Sequence, residues 1–256
     1  MSSGFEAGEQ RWRSGLATLR QVVRQELVAR QLAAHLPAAP SRILDVGCGQ
    51  GTQLLQLARA GHHVTGLDSS EALLADLGAA LAAQPPEIAD RVTTVRGDAL
   101  DAAALLAPQA FDAVLCHGVL MYFPDPMPLL GQLARLLAPG GMLSLLVRNG
   151  NGLAMRPGLT GDWATAQLAF DDPFYDNRIG VTARSDRLEE LAALLGGRRL
   201  ALRAWYGVRV FTDLTPSDAP VPAEPELSAL LACEERAGAT DPYRAVAALT
   251  HVIAGR

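Results

Sequence analysis

The chain has 256 residues, 49% hydrophobic and 19% charged, with a net charge of −5 and a pI near 5.5. That length suits one α/β domain, or one carrying an insertion, and the acidic balance argues against holding nucleic acid by bulk charge while leaving a local basic patch open. Cys48, Cys116 and Cys233 lie far apart without a C-x-x-C, which excludes a disulfide framework and a cysteine zinc site. No apolar run approaches the ~20 residues of a membrane span, and the first residues lack an apolar signal segment. A soluble, cytoplasmic protein without a membrane partner is expected.

In chain order, residues 5–36 read as helix, with Leu16, Leu19, Val23, Leu27, Val28 and Leu32 recurring at three and four. Pro37 to Pro40 supplies a stop. Residues 1–40 thus form a helical cap on the fold, in which Arg11, Arg13, Arg20 and Arg24 read first as a solvated face. Residues 42–46 (RILDV) are a short buried strand, and Gly47-Cys48-Gly49-Gln50-Gly51 is a turn whose glycines accept positive φ and leave backbone bare for a ligand. A helix from Thr52 to about Ala60 would point its free N–H groups at that ligand. The next strand, 63–67, ends at Asp68, placed to accept hydrogen bonds from ribose hydroxyls. This stretch binds a nucleoside-bearing cofactor. A dinucleotide fingerprint wants a third glycine where Thr52 stands, and Asp45, two residues before the first glycine, would repel a pyrophosphate while suiting a cationic ligand end.

Ser69-Ser70-Glu71 caps a helix to about Ala83, which Pro85-Pro86 interrupts. A third strand over 91–95 ends in Arg96-Gly97-Asp98-Ala99, where Asp98 either reads an adenine amine or caps the next short helix, 101–106. The fourth strand spans 111–117, a helix 128–137, and a turn at Ala138-Pro139-Gly140-Gly141 leads to a continuously apolar fifth strand, 142–147. Strands alternating with helices predict a Rossmann-like, doubly wound, mostly parallel sheet of seven strands. Residues 149–184 lack helical periodicity and are too long for a bare connection, so they are expected to cover the C-terminal edge of the strands. A helix over 185–195 capped by Ser185, a sixth strand over 200–211, a proline-rich loop, a helix over 226–237 and a last apolar strand near Val252 complete one domain, 41–256.

Asp45-x-Gly47-x-Gly49-x-Gly51, the F-D-A-V-L strand from Phe111 and the P-G-G turn before Met142 resemble motifs of the class I S-adenosylmethionine-dependent methyltransferases. Further likeness lies in Leu19-Arg20-Gln21, Cys116-His117-x-Val119-Leu120, Asn149-x-x-Gly152-Leu153, Gly207-Val208-Arg209-Val210-Phe211 and Thr250-His251-Val252. These resemble the bacterial tRNA 5-carboxymethoxyuridine methyltransferases, which methylate the carboxylate of a modified wobble uridine. The resemblance implies S-adenosylmethionine as cofactor: Arg20 on its carboxylate, Gly47, Cys48, Gly49 and Gly51 with Asp45 around its amino acid end, Asp68 and Ser69 at the ribose, Asp98, Ala99 and Leu100 framing the adenine, and His117 beside the methionine. It implies a tRNA anticodon as partner, although the acidic Asp171-Asp172 stands where lysines occur in tRNA-modifying members.

A carboxylate acceptor needs no base, only an orienting cation, and Arg209 is the expected clamp, with Arg148 second. An exposed place on an edge strand is the plain alternative for Arg209. Tyr206 or Tyr122 would hydrogen-bond or stack on a base, and His117 is the candidate base for a hydroxyl acceptor, or otherwise a core histidine at a strand end. A basic strip of arginines on one face would favour tRNA. A closed pocket under Trp163, Phe170, Phe174 and Tyr175 would favour a small-molecule O- or N-methyltransferase. A binding protein without catalysis is the third reading.

Overall fold

The computed structural model describes residues 8–15, 17–36, 40–216 and 218–256. Two helices precede the sheet, α1 (Glu9–Ser14) and α2 (Leu19–Ala33), separated by a turn at Gly15, so the single helix expected over 5–36 is broken. Leu16 and the stop at Pro37, Ala38 and Ala39 fall outside the described residues. On α2, Leu19, Val23, Leu27 and Val28 form one apolar stripe against Leu146, Val208, Leu231 and Leu249.

Then come β1 (Arg42–Val46), α3 (Thr52–Arg59), β2 (His63–Asp68), α4 (Glu71–Ala82), the single turn α5 (Pro86–Ala89) and β3 (Val92–Arg96). The Ser70 hydroxyl accepts from Leu73 N–H and caps α4. Pro85-Pro86, expected only to break the chain, instead starts α5, because proline at a first helical position gives up no needed N–H. A 3-10 turn, Ala99–Asp101, leads into α6 (Ala102–Leu105), then β4 (Phe111–His117), α7 (Met127–Leu136) and β5 (Leu137–Arg148).

The stretch expected to be irregular holds α8 (Met155–Leu159), α9 (Trp163–Leu168) and a hairpin of β6 (Phe174–Asp176) and β7 (Thr182–Arg184). Asp162 accepts from Thr165 N–H to start α9, so the segment is organised by local caps rather than by an apolar period. Next are α10 (Leu188–Gly196), β8 (Ala201–Val208), α11 (Glu226–Gly238) and β9 (Leu249–Gly255). Ser185 does not cap α10: its hydroxyl donates to Pro173 O, tying the hairpin to the chain instead. β8 stops at Val208, short of Phe211, because Arg209 takes a left-handed φ of 61°.

The sheet order is β3-β2-β1-β4-β5-β9-β8, with β1 to β5 parallel and β9 antiparallel to both neighbours. Leu44, Val46, Val114, Leu143 and Leu145 bury one face against α7 and α10. Ile43, Ala113 and Leu115 bury the other against Leu32 of α2, Leu54 of α3 and Leu77 of α4. The strand order reverses between β1 and β4, so a crevice opens beyond Val46 and Cys116 at their C-terminal ends.

Candidate functional site

A cavity of about 1210 Å³ occupies that crevice. Gly47, Gly49, Asp68, Ser69, Asp98 and Ala99 form its glycine-loop side; Arg20, Arg24 and Trp12 come from the two leading helices; Phe174, Tyr175 and Asn177 come from the hairpin. Residues of the 149–184 segment thus line the cavity.

The loop's three glycines all have positive φ, 73° at Gly47, 54° at Gly49 and 82° at Gly51. A Cβ on Gly47 would lie 2.2 Å from Val119 Cγ2, and one on Gly51 would lie 2.3 Å from Leu77 Cδ1. Gly47 is bare where the cavity begins; Gly51 is bare because α4 packs on it, outside the cavity. Asp68 holds this turn: one carboxylate oxygen accepts from Gly49 N–H at 2.8 Å and the other from Ser70 N–H at 2.9 Å. Burial pushes the Asp68 carboxyl up, against the pull of those N–H groups.

Several expected residues stand elsewhere. Asp45 is buried beneath the loop, and desolvation, then the charge of Asp68, lift its carboxyl to about 7 against the pull of Arg24. Cys48 does not line the cavity; its N–H and that of Gly47 both donate to Leu67 O, so neither is left for a ligand. Asp98 accepts from Leu100 N–H at 2.9 Å, which is the capping alternative, while Asp98 itself still faces the cavity. Leu100 does not line the cavity and packs instead against the core beneath. Tyr206 lies outside the cavity altogether: its hydroxyl is 2.7 Å from His35 Nε2 on the α2 side of β8. Tyr206 therefore does not face the cavity, whereas Tyr122 lines it. Burial raises the Tyr122 hydroxyl to about 12, keeping it a donor at neutral pH.

His117 ends a buried polar chain. Gln31 Oε1 faces His251 Nδ1, His251 Nε2 faces Ser144 Oγ, and Ser144 Oγ faces His117 Nε2, each at 2.8 Å. With a carbonyl oxygen at its start the chain runs one way: Nδ1–H of His251 donates to Gln31, the serine hydroxyl donates to His251 Nε2, and His117 Nε2–H donates to the serine. His117 Nδ1 therefore carries a lone pair. Burial, the neighbouring His251 and the Arg24 cation push His117 well below the usual imidazole range, so it is neutral and a weak base.

The arginines gather at the other end. Arg148 and Arg209 share one carboxylate, Asp213, at 3.7 Å and 3.3 Å. Arg156 and Arg178 line the same region. Arg148 also sits over the Tyr175 ring, 5.5 Å from its centroid. Nε of Arg148 and Nε of Arg209 are buried and, among the described residues, make no hydrogen bond. Desolvation, then Asp213 opposing it, then the neighbouring cations bring Arg209 down to about 10, still charged at neutral pH. The exposed edge-strand alternative for Arg209 is excluded, since its side chain is 14% exposed. Arg13, by contrast, pairs with Asp76 outside the cavity, and Trp163 and Phe170 are exposed rather than roofing it.

Sequence reading passed over Trp12 and Glu234 and took Arg24 first as part of a solvated face, whereas Phe174 and Tyr175, expected over a pocket, do line the cavity. For Arg24 a signal existed: it follows Arg20 by one turn and sits on the stripe that continues through Leu27, Val28 and Gln31. Trp12, whose ring carbon would stand 3.0 Å from a Cβ on Gly49, carried no such pattern.

A doubly wound sheet with a glycine loop and an acid at the ends of β1 and β2 is the architecture in which α/β proteins hold nucleoside cofactors. Residues 44–145 match the family described as "Methyltransferase domain". The chain has the fold of the class I S-adenosylmethionine-dependent methyltransferases. A solved S-adenosylmethionine dependent methyltransferase from Mesorhizobium loti superposes with a TM-score of 0.59 at 23% identity, over 89% of this chain and 96% of that one. Magnesium protoporphyrin IX methyltransferase from Synechocystis PCC 6803 gives 0.61 at 18%, over 97% and 94%. The tRNA 5-carboxymethoxyuridine methyltransferase of Escherichia coli (strain K12) is 33% identical over 58% of this chain and 56% of its own length. The ubiquinone biosynthesis O-methyltransferase of Stutzerimonas stutzeri (strain A1501) is 32% identical over 57% and 62%. The chain thus spans only part of the length of these curated relatives. Among the described residues no helix is long and apolar enough to cross a membrane, and no His, Cys, Asp and Glu cluster is built for a metal ion.

Proposed function

We propose that this protein transfers a methyl group from S-adenosylmethionine to a carboxylate of an anionic acceptor, foremost the 5-carboxymethoxyuridine of a tRNA anticodon. The observation that carries the acceptor class is the pair of buried, unpartnered Nε atoms on Arg148 and Arg209, two guanidiniums sharing the single carboxylate of Asp213. An unmet buried donor costs about 1–3 kcal/mol, so a site built this way is completed by a ligand that accepts. A carboxylate accepts from a guanidinium through two parallel bonds.

The glycine-loop side fits the cofactor. Bare backbone at Gly47 and Gly49 admits a ligand chain, Asp68 offers remaining lone pairs to ribose hydroxyls, Ser69 and Ala99 frame the far end, and Arg20 stands across from them. Arg20 also donates to Thr215 O at 2.7 Å, which fixes its direction. The neutral His117, with its Nδ1 lone pair, suits the ammonium at the methionine end, and Asp45 beneath adds negative charge as it ionises near pH 7. When bound, the cofactor supplies the electrophilic methyl on its sulfonium. The protein's part is to align the acceptor and exclude water. Arg209 and Arg148 would hold the acceptor carboxylate, Tyr122 would donate to it or stack beside it, and no base is required. The weak basicity of His117 agrees with that chemistry.

A second reading, a small-molecule O- or N-methyltransferase, draws support from where the arginines stand. They line the inside of the cavity instead of forming a strip across an outer face. An extruded modified base would also reach them there. Labelled S-adenosylmethionine incubated with tRNA bearing or lacking 5-carboxymethoxyuridine separates the two. Label on the modified tRNA alone supports the first reading. Label on neither, with cofactor binding intact, moves the acceptor to a small carboxylate.

A further inference from the structure

We infer that Glu234, in the middle of α11, is a positioning residue for acceptor recognition, which it serves by locking the backbone that aims Arg209 and Asp213; this rests on the acceptor clamp proposed above. Glu234 is 1% exposed, yet its carboxylate reaches across to the chain leaving β8. One oxygen accepts from Val210 N–H at 2.7 Å. The other accepts from Phe211 N–H at 3.1 Å, Thr212 N–H at 2.8 Å and the Thr212 hydroxyl at 2.7 Å. The three N–H groups directly after Arg209 thus converge on one carboxylate.

Their convergence explains how Arg209 keeps a left-handed φ of 61°, a conformation that costs a side-chain-bearing residue about 1–2 kcal/mol. The same carboxylate starts the 3-10 turn Thr212–Leu214, which carries Asp213. Both ends of the Arg209–Asp213 pair are therefore set by Glu234. On the far side, Arg209 O accepts from the N–H of Ala248, the residue just before β9, so the bend is pinned from there as well. The residue must be a carboxylate. A glutamine would present an NH₂ to N–H groups that already donate, losing at least one bond and leaving a donor unmet.

The test compares Glu234→Gln, Arg209→Ala and the double variant, with 5-carboxymethoxyuridine tRNA as acceptor and S-adenosylhomocysteine for binding. Glu234→Gln is expected to lower kcat/KM for the acceptor roughly tenfold to a hundredfold, with cofactor-product affinity within about threefold of wild type. In the Arg209→Ala background the same change should add less than about threefold, because both substitutions break one device. Additive losses, or an equal loss of cofactor affinity, would mean that Glu234 is only a staple between α11 and β8. A second readout needs no acceptor: the Arg209 Nε–H resonance, identified by its disappearance in Arg209→Ala, should exchange slowly in the wild type and fast in Glu234→Gln. Slow exchange in both overturns the inference. A harmless Arg209→Ala, on the other hand, would refute the clamp itself.

Discussion

Replacing Arg209 by alanine removes one of two cations that share Asp213 and, with Arg148, one of the two cavity arginines whose buried Nε makes no hydrogen bond among the described residues. Truncating one member of a buried hydrogen-bonded charge pair costs ~2–5 kcal/mol, which at ~1.36 kcal/mol per decade is roughly 30- to 5,000-fold in kcat/KM. Arg148 remains 3.7 Å from Asp213 and can still meet an acceptor carboxylate. That argues for the lower part of the range, roughly 30- to 300-fold. Arg209→Lys keeps the charge but cannot make two parallel bonds, so it should fall between wild type and alanine. The assay is initial rate against acceptor concentration at saturating S-adenosylmethionine, with calorimetric binding of S-adenosylhomocysteine alongside. The loss should appear for the acceptor and leave the cofactor constant nearly unchanged. A kcat/KM within threefold of wild type, or a cofactor affinity that falls as far as kcat/KM, would refute the reasoning.

Gly51→Ala should destabilise the protein by ~2–5 kcal/mol, from left-handed strain plus a collision with the fully buried Leu77, and lower Tm by roughly 4–20 °C in a calorimetric scan. Asp68→Asn should weaken S-adenosylhomocysteine binding by roughly tenfold to a hundredfold, since an amide cannot accept from Gly49 and Ser70 and still serve two ribose hydroxyls; equal affinity would end the ribose assignment. Asp45 predicts a pH effect. Its folded carboxyl titrates near 7 against an ordinary 3.8, so between those values the folded state keeps a proton that the unfolded chain has lost. Stability from this group is full below about 4 and is lost as pH rises through about 7. Denaturant titrations of wild type and Asp45→Asn should differ by that fall, because the raised Asp68 and Asp186 carboxyls and the lowered His117 and His251 imidazoles, which act in the opposite sense, contribute equally to both; identical slopes would mean Asp45 ionises normally.

Local chemistry made the first half of the site legible. A strand of five residues, glycines at alternate positions and an acid ending the next strand are consecutive features, and each follows from backbone needs within a few residues: positive φ at Gly47 and Gly49, an acceptor for the N–H groups of the turn. The parallel order of β1 to β5 followed from alternation of apolar strands with helices for the same reason. Arg209 was also legible as a cation in a distinctive run, though not its burial.

Tertiary structure decided what depends on contacts between distant segments. Tyr206 and Arg209 are three residues apart on one run, yet one packs on His35 and the other enters the cavity, because the strand ends between them. Arg20 and Arg24 become cavity residues only because α2 lies over the end of the sheet, burying a stripe that the sequence shows as mixed charge and leucine. The Gln31–His251–Ser144–His117 chain spans α2, β9, β5 and β4, and Glu234 meets the 210–212 backbone across more than twenty intervening residues. No periodicity encodes such bonds; they form when the sheet brings its strands into register and burial removes the water that would otherwise satisfy each group.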